Sequence, residues 1–295
     1  MAKRSGIMLC FPLEERRLKD PKFGWSYPVL TQPKLDGERC RAVQEVSGTI
    51  NLISSELNDF MSVPHINEEL EYLISKCPFP LPEFDGELYC HDLDFSEIHS
   101  IVSRSIDNLH PDRHLISLNI FDYVSNEAQF RRLLHLQNLN DSVLKDAPHI
   151  NIVPTALAYS FSDIMKFYKK YLSQGYEGII IRHLLGPYVR KRSNKILKFK
   201  PKKEDIYTII GVNEAIDKYG NPKGMIGSFQ CQGSDGTPFK IGAGELTHSE
   251  RIHLWKIRKD LIGHDCLVQY QHLQPKTNVP RFGLCVKVLS STFND

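Results

Sequence analysis

Past Lys203 the chain changes texture in a way that leaves few folds open to it. Five short β-rich runs follow one another with glycine turns between them: Tyr207 to Val212, Gly227 to Gln232, Phe239 to Ile241, Cys266 to Leu273 and Cys285 to Leu289. One helical stretch, Thr247 to Leu261, lies between the third and the fourth. Strands this short bury little on their own and must close on each other, which predicts a small barrel. The basic segment Lys200-Pro201-Lys202-Lys203 marks the boundary, so the chain reads as residues 1–203 and 204–295.

Five strands and one helix suit an OB-fold, a common nucleic-acid-binding module. The first part reads differently. Val29 to Gln32, Arg39 to Gln44 and Thr49 to Ser54 are rich in β-formers and separated by Gly37 and Ser47-Gly48, which predicts an antiparallel meander. Helices are predicted at His65 to Lys76, Phe95 to Ile106, Glu127 to Leu136 and Ser162 to Gln174, the last capped by Ser162-Asp163 and stopped by Gly175.

At 295 residues, 41% hydrophobic and 24% charged, with no apolar run of membrane-spanning length, the composition is that of a soluble globular protein. Met1-Ala2-Lys3-Arg4 is followed by neither a long apolar stretch nor a small-residue cleavage site, so secretion is not expected. The 7 cysteines include no C-x-x-C pair, which argues against a disulfide framework or a thiolate zinc site and for a reducing cytoplasm. The 12 histidines are scattered, and the closest pair, His110 and His114, has no third ligand nearby, so no histidine metal site is expected. Net charge is only +2, but the stretch from Arg190 to Lys203 carries many cations and no acid, a pattern that suits either a solvated face or phosphates.

Chemistry concentrates in Lys34-Leu35-Asp36-Gly37-Glu38-Arg39, which offers an amine nucleophile, a carboxylate two residues on, a glycine turn and a guanidinium. Such a set suits attack on a nucleotide α-phosphate, although the same residues also make an ordinary solvated turn. A free lysine amine is mostly protonated at neutral pH; partial burial and a positive field from Arg39, Lys198, Lys200 and a bound divalent metal are expected to lower its pKa. Glu87 and Glu177 lie in glycine-flanked contexts, D-G-E-L and Y-E-G-I-I, and as hard oxygen ligands they suit magnesium. Lys198 and Lys200 alternate along a strand pattern with Phe199 opposite, which puts the two lysines on one face.

In order and at plausible spacing, K-x-D-G-x-R at Lys34, F-D-G-E-L-Y at Phe84, N-I-F-D-Y at Asn119, G-Y-E-G-I-I-I-R at Gly175 and I-L-K-F-K at Ile196 resemble the signature blocks of the covalent nucleotidyltransferases, most closely the small ATP-dependent DNA ligases. The resemblance implies an α+β fold: an ATP-grasp-like nucleotidyltransferase domain of antiparallel sheets with flanking helices, then the OB-fold barrel. It implies an enzyme that seals 5′-phosphate/3′-hydroxyl nicks in replication, repair or recombination. Lys34 carries AMP from ATP, with Mg2+ as cofactor and Mn2+ as an alternative. Nucleotide contacts are implied for Gln32 and Pro33 at the adenine edge, Phe121 on the adenine face, and Arg39, Ser54, Lys198 and Lys200; Glu87 and Glu177 are implied at the metal, Glu87 also at the ribose.

The family usually has an arginine where this chain has Ser55, so Arg41 or Arg104 is the expected substitute for phosphate recognition. Arg182, Arg192, Lys240 of F-K-I-G-A-G and Arg281 of P-R-F complete the set expected on DNA or phosphate. The implied partner is nicked double-stranded DNA, met by a monomer without membrane or obligate protein partner, in the cytoplasm or with DNA in a cellular or virus-infected compartment. An RNA ligase or an mRNA-capping guanylyltransferase of the same superfamily would share the K-x-D-G chemistry; a non-enzymatic OB-containing nucleic-acid-binding module would fit the basic run but not the two glutamate motifs.

Overall fold

Val29 to Pro33 are buried without alternation, the mark of a strand covered on both faces. The computed structural model describes residues 6–76, 83–142, 144–233, 235–244, 246–270, 273–274 and 277–289. Two compact units divide the chain, Met1–Phe199 and Lys200–Asp295. The first runs β1 (Leu9–Pro12), α1 (Glu15–Lys19), β2 (Val29–Lys34), β3 (Glu38–Gln44), β4 (Ile50–Ser54), α2 (Pro64–Lys76), β5 (Phe84–Tyr89), α3 (Phe95–Val102), β6 (Ser117–Tyr123), α4 (Gln129–Ser142), β7 (Ile150–Ile152), β8 (Ala156–Ala158), α5 (Phe161–Ser173), β9 (Gly178–His183) and β10 (Arg192–Phe199). The second contains β11 (Lys203–Ile216), β12 (Pro222–Gln232), β13 (Pro238–Gly242), α6 (His248–Lys256), β14 (Asp265–Tyr270) and β15 (Leu284–Leu289).

The first unit holds two five-stranded sheets, ordered β1-β10-β9-β2-β8 and β4-β3-β5-β6-β7. The meander expected of the first three strands is therefore not formed. β3 and β4 pair as a hairpin, but β2 lies in the other sheet, between β9 and β8. The chain crosses from one sheet to the other at Asp36-Gly37, and the crossing is tight: a Cβ on Gly37 would run into the Leu88 carbonyl of β5. Pro33 is tolerated in a central strand because the pairing of β2 with β8 stops at Thr31.

Helices cover each sheet. α2 and α3 bury Ile66, Leu70, Ile98 and Ile101 with Leu52, Leu88 and Leu118 of the second sheet. α5 packs Ile164, Tyr168 and Tyr171 against Ile179, Ile181 and Leu197 of the first. Its N-cap is Ser160, whose hydroxyl accepts from the Asp163 N–H at 3.1 Å, so the expected Ser162-Asp163 cap is displaced by two residues. Gly175, at φ +89°, follows the end of the helix. α3 stops at Val102, short of Ile106, and α4 starts at Gln129 rather than Glu127.

Strands of the second unit close into a barrel in the order β11-β12-β13-β15-β14 around Ile209, Phe229, Ile241, Val268 and Cys285. β11 begins at Lys203, opposite Tyr270 of β14, so a boundary between 203 and 204 falls within that strand. α6 starts from a capping box of Thr247 and Glu250 and ends at Lys256, before the expected Leu261. The part of the fourth expected strand at 271–272 lies outside the described residues. Among the described residues no helix is long and apolar enough to cross a membrane.

Candidate active site

Lys34 ends β2, and its register partner on β9 is Gly178. The Glu177 N–H donates to the Lys34 carbonyl at 3.0 Å, which places the glutamate beside the lysine side chain. Lys34 Nζ forms an ion pair with Glu177 Oε2 and a hydrogen bond to the Leu35 carbonyl at 3.3 Å. From the second sheet comes Glu87 of β5, paired in register with Arg39 of β3. Its carboxylate has no hydrogen-bond donor among the described residues. Burial pushes the Glu87 carboxyl up to about 8; Arg39 and Lys34 oppose the rise, while Glu177 and Asp85 add to it.

The field at Lys34 corrects the expected direction of its shift. Burial pulls the ammonium down, but the charges of Glu177, Glu87 and Asp36, with the Glu177 hydrogen bond, outweigh it and hold Lys34 above its ordinary value. Carboxylates rather than cations dominate at Nζ. Two buried or half-buried glutamates and a nearby aspartate around one ammonium make a donor set of hard oxygens, and the Glu87 carboxylate, without a donor of its own, fits a divalent cation.

Phe121 reaches the site through an irregularity. Asp85 pairs with Asp122, but Gly86 pairs with Ile120, so Phe121 is the extra residue of a β-bulge, a device that re-aims a side chain. Arg39 lies over its ring, with Cζ 4.5 Å from the centroid, and is fixed there by a two-point bond to Asp85: Nε donates to Oδ1 at 2.7 Å and Nη2 to Oδ2 at 2.5 Å. The Tyr188 hydroxyl donates to the same carboxylate at 2.6 Å. Burial works against the Arg39 charge, but Asp85 more than compensates and raises its pKa.

Gln32 is 2% exposed and its side chain is fully engaged. Its Nε2 donates to the Phe121 carbonyl at 3.1 Å and to Thr155 Oγ1 at 3.0 Å, and its Oε1 accepts from Arg182 Nε at 2.7 Å. Arg182, expected on phosphate, is instead buried among these groups, donating Nη1 to Asp122 Oδ2 at 2.8 Å. Arg132 of α4 donates Nε to Asp122 Oδ1 at 2.7 Å, and Gln129 donates to that same oxygen at 3.2 Å. Asp122 and Arg132 are wholly buried. Strand registers put Lys34, Gln32, Arg182 and Lys198 on one face of the first sheet, since Gln32 and Lys198 both pair with Ile180. Phe199, on the opposite face, packs against Tyr168 with ring centroids 4.6 Å apart.

Arg41, expected on phosphate, is buried and donates to Glu83 at 2.6 Å. The Ser54 hydroxyl, expected at the nucleotide, accepts from the Glu56 and Asn58 N–H groups and closes the turn after β4. Arg104 folds back on the Ser100 carbonyl, and the exposed Arg192 donates to the Cys10 carbonyl. Lys200, Lys240 and Arg281 belong to the second unit; Lys240 is exposed on β13, and Arg281 lies over the Phe282 ring. Asp85, Asp122, Arg132 and Tyr188 were not expected in functional roles. Asp85 had a signal: it stands two residues before Glu87 in a strand, hence on the same face.

The chain residues 25–200 match the family model described as ATP dependent DNA ligase domain. A DNA ligase of African swine fever virus is 24% identical over 264 residues, covering 85% of this chain and 61% of that protein. The chain spans about three fifths of the length of the curated relatives it matches. Two solved structures share the fold: Pmar-Lig_PreS3, with a TM-score of 0.82 at 21% identity over 97% of this chain and 68% of that one, and a Lig E DNA ligase, with a TM-score of 0.74 at 22% identity over 96% of this chain and 99% of that one.

Proposed function

The chain belongs to the ATP-dependent DNA ligase domain family, and from that membership we propose that it seals 5′-phosphate/3′-hydroxyl nicks in duplex DNA at the expense of ATP. The observation that carries this reading is Lys34 at the end of β2, with Glu177 paired to it and Glu87 adding to its field from the second sheet. In the first step Nζ, having lost its proton, attacks the α-phosphorus of ATP; a P–N bond forms, the bond to the bridging oxygen breaks, and pyrophosphate leaves. AMP then passes from Lys34 to the 5′-phosphate of the nick, and the 3′-hydroxyl displaces it to form the phosphodiester. Each displacement at phosphorus depends mainly on positioning and charge.

Glu87 and Glu177 would hold Mg2+, or Mn2+ in its place, which would neutralise charge on the transferring phosphoryl group and on the carboxylates around Lys34. Adenine would stack on the ring of the bulged Phe121, over which Asp85 sets Arg39. Gln32 and Arg182 act from behind, holding β2, β9 and β6 in place under the nucleotide. Lys198 shares the face of Lys34 and is the strand cation best placed for phosphate. The barrel acts as an OB-fold on DNA, with Lys240 and Arg281 as phosphate contacts; Arg104 and Arg192 are the remaining candidates in the first unit. The protein acts as a monomer.

The test is a duplex with one nick, labelled at the 5′-phosphate, incubated with protein, ATP and magnesium and run on a denaturing gel. A longer, sealed strand that is absent with Lys34→Ala supports the proposal. Sealing confined to ribose ends, or label taken from GTP in preference to ATP, would assign the site to an RNA ligase or a capping reaction instead.

A further inference from the structure

Three histidines scattered through the sequence meet in the fold. His65 is the second residue of α2, His114 lies in the single-turn segment Pro111–Leu115 ahead of β6, and His149 directly precedes β7. One ligand nitrogen from each lies within 4.8 Å of one from each of the others. The His65 ring centroid is 4.7 Å from that of His114 and 4.6 Å from that of His149.

Two of the rings are oriented from behind. His65 Nε2 donates to the Ile116 carbonyl at 3.0 Å. His149 Nδ1 donates to Glu69 Oε1 at 2.5 Å, while Glu69 Oε2 accepts the His149 backbone N–H at 2.8 Å. A ring nitrogen that donates leaves the other as a lone pair. The remaining nitrogens are therefore His65 Nδ1 and His149 Nε2. His65 is 7% exposed, and its Nδ1 is buried without any hydrogen-bond partner. Packing of the three rings alone would leave that buried acceptor unsatisfied, which is uncommon.

We propose that His65, His114 and His149 bind a borderline divalent transition metal, Zn2+ foremost, as a clamp between α2, the segment leading into β6, and the start of β7. The donor set is the ground for the choice of metal: neutral imidazoles suit Zn2+ and its neighbours, whereas Mg2+ takes oxygens. The Ile116 carbonyl and the Glu69 carboxylate are the outer partners that fix metal-binding histidines in orientation. His114 is exposed and its ring makes no hydrogen bond among the described residues, so it is the ring free to close on the ion and leaves a side open for water. Zn–N bonds of about 2.0–2.1 Å require that closure. The clamp would secure β7, a three-residue edge strand whose one strand neighbour among the described residues is β6.

The proposal does not rest on the ligase reading, and its test needs no DNA. Full-length protein is stripped with chelator, dialysed, and titrated with Co2+ in excess Mg2+, which occupies oxygen sites. The expected result is one equivalent bound with the visible ligand-field absorption of a low-coordinate nitrogen site, displaced by Zn2+, and a higher melting midpoint in Zn2+. His114→Ala, a change at an exposed ring, should keep the wild-type circular dichroism and weaken binding at least about tenfold; Glu69→Gln should weaken it by about 10–100-fold. Absence of the Co2+ band and of any Zn2+ shift in the wild-type protein, or binding by His114→Ala and His149→Ala as tight as that of wild type, would overturn it.

Discussion

In the proposed reaction Lys34 starts on the protonated side of its titration, so its readiness to attack depends on how firmly its neighbours hold that proton. Glu177→Gln removes the ion-pair partner and should move the rising limb of the pH profile for adenylate formation toward acid by about one unit or more, whatever it does to the plateau; transfer of labelled AMP to protein between about pH 6 and pH 10 would show it. Glu87 has the opposite sense. Its folded value, about 8, stands above the ordinary 4.5, so between these values the folded chain holds a proton that the unfolded chain has released. Stability from this group therefore falls as pH rises through that window, by at most about 1.4 kcal/mol per pH unit, and the penalty is complete above it. Glu87→Gln should flatten the slope and gain most over wild type above pH 8, as read from urea unfolding at several pH values. Both glutamates and the lysine were legible in the sequence because each sits in a glycine-flanked block. The place of Arg182 was not, since nothing local distinguishes an arginine that faces phosphate from one that donates to Asp122 and Gln32.

Elements show the same division between local and distant causes. Helix existence could be read from period and caps, and the barrel strands from their turns. The pairing of β2 could not, because its partners β8 and β9 lie more than a hundred residues away. Likewise, α4 begins where Gln129 and Arg132 can reach Asp122, a requirement set by β6 rather than by the helix itself. Removing that acceptor should strand two buried guanidinium groups. Asp122→Ala is expected to cost about 3–5 kcal/mol of stability, seen as a lower urea midpoint in circular dichroism. The histidine trio failed to show in the sequence for a related reason: spacing in the chain carries no information about α2, the segment before β6 and β7 meeting in space.

At the scale of the whole chain, the two units each own a hydrophobic core. A fragment of residues 1–199 should consequently fold and take label from ATP onto Lys34, yet fail to close a nick; label transfer and the gel assay read the two results separately. The sheets of the first unit are joined by polar bonds as well as by packing, with Gln32 and Arg182 from one sheet tied to the Phe121 carbonyl and the Asp122 carboxylate of the other, and Arg132 closing the set from α4. Each of those side chains satisfies another, so no single exchange is neutral while the rest stay. Descent should treat Gln32, Asp122, Arg132 and Arg182 as one inherited character: among distant relatives the four should persist together or give way together to apolar residues, leaving few viable intermediates on the route between.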